Sequence, residues 1–333
     1  MARLRARRRV DVVLPDHRRI GRLPRRRRGR DMNRQLSLHP PLVRNFAPDR
    51  APGSVGVPMV QLHPGGFSAD VYQPLAEKLE PVFDLHVVDM DGVREYFEAP
   101  FTTGHPDIAF DALVARIRDG MAEHGLLPGT NDWLLSGWSF GGVVGYAIAQ
   151  QLPEHQRPRG LLLLDCIAPI PLEHITDEDF TEALYMPWFA SYLGAKRNRP
   201  LNIPHAEFAN RDDDSALAVL LEHAVAAGAL APATSVAGLR KLWRTYFNAI
   251  LRQIRLTRTY RPDRSTVPLW LLRAGTALPG MPDSLGWELY ADEVPTRFCD
   301  ADHYSLILGP DNIGAIAESA TEAYQSDKGV RAH

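Results

Sequence analysis

Ser139 sits in Gly137-Trp138-Ser139-Phe140-Gly141, a G-x-S-x-G run placed between an apolar stretch and a helical pattern. That spacing suits a serine nucleophile. A sharp strand-to-helix turn lifts the hydroxyl clear of the backbone and leaves little room for side chains two residues to either side, which the two glycines satisfy. A serine alone is a weak nucleophile, so the turn calls for a base and an orienting acid further along, in the order Ser, Asp, His. His303, in Cys299-Asp300-Ala301-Asp302-His303, is the candidate base. Asp165 is the candidate acid, and Asp283 competes with it because it also follows a strand-like run. An oxyanion formed at Ser139 needs two backbone donors. Phe140 N–H is one candidate, and the loop His63-Pro64-Gly65-Gly66-Phe67 offers Gly65 as the other, with Gly66 as second choice.

These residues need strands that end at one edge of a sheet. Apolar or strand-like runs fall at 58–63, 85–89, 133–136, 160–165, 267–274 and 294–299. Between the earlier runs lie helical patterns. Phe110, Leu113, Val114, Ile117 and Met121 recur at spacings of three and four, and Val143, Val144, Ala147 and Ile148 give the segment after Ser139 an apolar face. Further helices are expected at 72–79 and 312–324. Continuous apolar strands alternating with amphipathic helices predict an α/β fold with a mostly parallel sheet covered on both faces.

The alternation stops from about 168 to 263. This stretch holds helical patterns without a convincing strand, the clearest being Leu239, Leu242, Trp243, Tyr246, Phe247, Ile250 and Ile254. It reads as a helical lid over the site, with Met186, Trp188, Phe189 and Trp243 as candidate pocket walls. Arg252, Arg255, Arg258 and Arg261 at its end read first as a solvated helix face.

The 333 residues, 45% hydrophobic, can bury a sizeable core. The formal charge of −2 conceals an asymmetry: residues 1–31 hold 13 Arg against three Asp, leaving about −12 for the remainder. An acidic main domain argues against a nucleic-acid partner. The expected organisation is a disordered Arg-rich extension at 1–42, an α/β domain at 43–325 and a flexible tail at 326–333. No secretory core and no apolar run of about 18 residues appears, which predicts a cytoplasmic protein with no membrane contact. The two cysteines, Cys166 and Cys299, are too few for a disulfide framework and read as buried thiols. No metal-ligand spacing and no dinucleotide-binding glycine loop stands out.

Taken together, His63-Pro64-Gly65-Gly66 followed by Tyr72 and Leu75, Gly137-Trp138-Ser139-Phe140-Gly141-Gly142, Leu163-Leu164-Asp165 and Asp302-His303-Tyr304-Ser305-Leu306 resemble a known family. It is the thioesterase domains that release products from nonribosomal peptide synthetases and polyketide synthases, and the likeness spans roughly 43–324. The resemblance implies an α/β-hydrolase fold with a lid at 168–263, and it places the acid on Asp165 rather than Asp283. It also implies a serine thioesterase without a bound cofactor, whose acyl or peptidyl substrate rides on the phosphopantetheine of a carrier protein. Gly-Trp-Ser-Phe-Gly-Gly is closer to the terminal, product-releasing class than to the editing class. No carrier-domain motif precedes Val43, so the carrier is expected to act in trans. An acyltransferase or a general carboxylester hydrolase of the same fold, and a noncatalytic binding protein, are the alternatives.

Overall fold

A computed structural model describes residues 39–47, 56–101, 107–169, 176, 179–180, 182–275 and 281–326. The Arg-rich segment before His39 and the tail after Ser326 lie outside the described residues. His39–His333 form one compact unit.

Among the described residues, seven strands make one sheet: β1 (Val43–Asn45), β2 (Val57–His63), β3 (Phe83–Asp89), β4 (Leu134–Trp138), β5 (Leu161–Leu164), β6 (Leu269–Ala274) and β7 (Thr296–Cys299). Their order is β1-β3-β2-β4-β5-β6-β7. All neighbours are parallel except β1, which pairs antiparallel with β3. The helices are α1 (Gln73–Leu79), α2 (Arg94–Glu98), α3 (Phe110–Glu123), α4 (Phe140–Gln151), α5 (Glu182–Arg197), α6 (His205–Phe208), α7 (Asp213–Ala226), α8 (Val236–Thr257), α9 (Ser305–Leu308) and α10 (Ile313–Gln325). This is the α/β-hydrolase architecture, with α5 to α8 inserted between β5 and β6.

Strand side chains alternate between two cores. Leu134, Leu162, Leu164 and Leu272 pack on the face that receives α1, α10 and the inserted helices, while Leu135, Leu161, Leu163 and Leu271 face α3 and α4. A period of two with both faces buried is why these strands read as unbroken apolar runs.

Strand order decides where the site forms. From β2 the chain moves to β3 on one side and then returns to β4 on the other, so a crevice opens beyond the carboxyl ends of β2 and β4. The Pro64–Phe67 loop leaves β2 there, and Ser139 leaves β4 there.

The strand-like runs read from the sequence begin at 58, yet Val43–Asn45 forms the edge strand β1, in register with His86 to Val88. A three-residue edge strand has too few inward positions to print an alternating pattern.

Candidate active site

The turn at Ser139 is sharp. Its φ and ψ are 54° and −130°, outside the regions open to most side chains. A Cβ on Gly137 would lie 2.5 Å from the Gly141 carbonyl, so the strand and the first turn of α4 touch only because that side chain is missing. Phe140 is the first residue of α4, and its N–H has no partner within the helix.

The structure brings Ser139, His303 and Asp165 together. His303 Nε2 lies 3.0 Å from Ser139 Oγ, and Nδ1 lies 2.7 Å from Asp165 Oδ2. With Nδ1–H donating to the carboxylate, Nε2 is left to accept the serine proton. Asp165 is held from its other oxygen, which accepts from Ala274 N–H at 2.9 Å, and its own N–H donates to Leu272 O at 2.8 Å. His303 is 5% exposed and Asp165 6% exposed, so water hardly competes for these bonds. Asp283 stands elsewhere: it accepts from Arg273 at 3.1 Å and its side chain is 85% exposed.

The candidate oxyanion loop is tied down at several points. Gly65 has φ 88°, and a Cβ there would meet the Asp91 carboxylate at 2.4 Å. Gly66 N–H donates to Asp91 Oδ2 at 3.2 Å, which engages the second-choice donor. Tyr96 O–H donates to Pro64 O at 3.2 Å, and Lys196 of α5 donates to Gly66 O at 2.5 Å. Burial pushes the Asp91 carboxyl up and the Lys196 ammonium down, and the attraction between their charges opposes both shifts.

His63 closes this loop from inside. Fully buried, it donates from Nε2 to Phe67 O at 3.0 Å, accepts the Tyr72 hydroxyl at Nδ1 (3.3 Å), and stacks on Trp138 with centroids 5.9 Å apart. Burial pushes its imidazole down to about 4. Protons therefore bind the unfolded chain first as pH falls. The stabilisation from neutral His63 is whole above pH 6.5 and is lost progressively toward pH 4. Asp89, pushed up to about 7 chiefly by burial, acts in the opposite sense, so a comparison between variants isolates His63. Between pH 7 and pH 4 the native chain is expected to lose about 3 kcal/mol relative to His63→Gln. Urea unfolding of both proteins at the two pH values checks this; a difference independent of pH would refute it.

Ser139 and His303 face two cavities. One, of about 530 Å³, is lined by Gly65, Phe67, Tyr192, Lys196, Leu242 and Tyr246 among others. The other, of about 310 Å³, is walled by Val143, Ile167, Phe180, Trp188, Ile254 and Met281. Of the expected pocket walls, Phe189 lines the first and Trp188 the second, whereas Met186 and Trp243 are fully buried in the core. Leu242, from the apolar face of α8, is 49% exposed at the rim of the first cavity.

Residues 58–184 match the family model described as the thioesterase domain. That segment runs from β2 into α5 and contains the Pro64–Phe67 loop, Ser139 and Asp165. His303 lies beyond the matched segment and reaches it through the fold. The chain is 35% identical over 94 residues to a pimeloyl-[acyl-carrier protein] methyl ester esterase of Vibrio vulnificus, covering 28% of this chain and 31% of that protein. It is 33% identical over 76 residues to an orsellinic acid synthase of Armillaria mellea, covering 22% of this chain and 3% of the synthase. The chain thus spans less than a third of the length of either relative. Among solved structures, a four-domain nonribosomal peptide synthetase bound to AMP and glycine superimposes with a TM-score of 0.55 at 24% identity, covering 86% of this chain and 20% of that one. This likeness is one of fold.

The sequence carried little sign of the groups that surround His303 and the Pro64–Phe67 loop. Asp91 had a weak signal, as the second acid of Asp89-Met90-Asp91-Gly92 after a strand. Lys196 had none, being one cation at the end of a helix. The Trp138 indole N–H donates to His303 O at 3.1 Å and so fixes the backbone of the candidate base. Arg252 bonds Asp107 (2.8 Å) and stacks on Tyr96 (4.2 Å), so it is occupied within the fold. Cys166 and Cys299 are buried free thiols. Among the described residues no helix is long and apolar enough to cross a membrane, and no His, Cys, Asp or Glu group could hold a metal ion.

Proposed function

We propose that this chain is a serine thioesterase that releases an acyl or peptidyl chain from the phosphopantetheine arm of a carrier protein. The observation that carries the reading is the hydrogen-bonded series Ser139, His303, Asp165 at the mouth of two cavities, with the first and last residues inside the thioesterase-family segment. In the proposed reaction Ser139 Oγ attacks the thioester carbonyl while His303 Nε2 takes its proton. The amides of Gly65 and Phe140 hold the negative charge on the former carbonyl oxygen. The intermediate collapses as the C–S bond breaks, and His303 returns the proton to the departing thiolate. Water, or a hydroxyl or amine of the bound chain, then gives a proton to His303 and attacks the acyl-Ser139 ester; the bond to Ser139 Oγ breaks as His303 returns that proton to it, freeing an acid or a cyclic product.

A second reading has its own support. The Vibrio vulnificus relative is named for a methyl ester on an acyl-carrier protein, so the scissile bond could be an oxygen ester on a carrier-borne chain. Both readings share the nucleophile and the carrier; they differ in which bond breaks. The test is mass spectrometry of acyl-carrier proteins bearing either a simple acyl thioester or a chain ending in a methyl ester. Return of free phosphopantetheinyl thiol with an acid or ring supports the thioesterase. Loss of a methyl group with the thioester intact supports the esterase. Efficient turnover of p-nitrophenyl esters with no preference for carrier-borne chains would point instead to a general carboxylester hydrolase.

A further inference from the structure

Helix α5 reaches the proposed base with an aromatic ring. Trp188 lies parallel to the His303 imidazole, with ring centroids 5.0 Å apart and planes 4° apart. Trp138 packs on the same imidazole at 5.2 Å and 31°. Two indoles therefore contact one ring, one from the inserted helix and one from the turn that carries Ser139. Tyr185, three residues before Trp188, meets it edge-on at 6.1 Å and braces it.

This contact has consequences for a general base. When His303 takes the proton from Ser139 it becomes a cation at a site 5% exposed, where little water is available to solvate it. The face of an indole carries partial negative charge and attracts such a cation. A parallel ring in contact also opposes rotation of the imidazole, keeping Nδ1 on Asp165 and Nε2 on Ser139. Lys196, eight residues along α5, donates to Gly66 O at 2.5 Å and lies over Phe67 at 4.6 Å. One helix thus touches both the base and the candidate oxyanion loop.

We propose that Trp188 is a positioning residue for His303, so that seating α5 on the sheet is part of assembling the reactive geometry. The inference rests on Ser139 and His303 being the nucleophile and base, and it does not require that the substrate be a thioester. Trp188→Phe keeps a ring face, Trp188→Leu keeps apolar bulk without one, and Trp188→Met repeats the aliphatic comparison if the leucine variant does not fold. Two measurements are made: the second-order rate at which a small fluorophosphonate labels Ser139, and kcat and KM on an acyl-pantetheine thioester. The leucine variant is expected to label about ten-fold more slowly and to lose about ten-fold in kcat, with KM within about two-fold of the native value. The phenylalanine variant should return to within about three-fold of native in both. Equal impairment of the ring-bearing and aliphatic variants, a loss confined to KM, or labelling of the leucine variant at the native rate would overturn the proposal. A native protein that labels at Ser139 but cleaves no thioester would defeat the proposed function alone, because the labelling series still decides the role of Trp188.

Discussion

Ser139→Ala is expected to lower turnover by about 10⁴-fold or more while leaving the fold intact. The substitution removes only Oγ, and alanine meets the same backbone requirement at φ 54° that serine meets. Among the described residues lining the two cavities there is no cysteine and no second serine. Cys166, the nearest thiol in sequence, is fully buried, and burial holds its thiol well above the usual range, so it stays protonated and unreactive. Intact-mass analysis after a fluorophosphonate provides the chemical check. The native chain should gain one adduct, mapped to Ser139 by peptide sequencing, and the variant none. Turnover of the alanine variant within ten-fold of native would show that the chemistry lies elsewhere and would remove the basis of the proposed function.

Asp165→Asn is expected to lower kcat by about 10⁴-fold, whereas Asp283→Asn should stay within about two-fold of native. Asp165 accepts two hydrogen bonds, from His303 at one oxygen and from Ala274 N–H at the other. An asparagine has one oxygen for these two donors. If the oxygen faces Ala274, the amide NH₂ turns toward Nδ1, and the imidazole must carry its proton on Nε2, where it can no longer accept from Ser139. If the oxygen faces His303, two N–H groups oppose each other at Ala274 in a buried place. Either arrangement disables the base or strains the loop. The Asp283 side chain is 85% exposed and touches neither Ser139 nor His303; it accepts from the buried Arg273 guanidinium, a hydrogen bond that the asparagine oxygen can keep. Thioester turnover together with thermal unfolding midpoints checks both variants, and the reverse ranking would move the acid to the loop after β6.

The elbow is legible in the sequence because local sterics dictate its residue types: no Cβ fits at Gly137, whatever surrounds it. The strands and main helices are legible for a related reason. Burial on both faces writes an unbroken apolar run, as in Leu161–Leu164, and burial on one side of a helix writes spacings of three and four, as in Phe110–Glu123. Asp165 and Asp283 both follow strands, and their residue type does not separate them. Sheet order does. β5 lies next to β4, with Trp138 in register with Leu164, so the residue after β5 emerges beside the residue after β4. β6 stands one strand further away.

By itself the sequence determined the α/β alternation, the serine turn and the set of acids and histidines that follow it in chain order, because each depends on interactions within a few residues. The family resemblance implied Asp165 as the acid, and the fold sets its carboxylate against His303; tertiary structure alone decided that Asp91 and Lys196 hold the Pro64–Phe67 loop from opposite elements, and that Trp188 stacks on the proposed base. Those contacts join residues from separate elements. Their geometry follows from strand order and from how α5 packs on the sheet, and neither leaves a periodic mark on the chain.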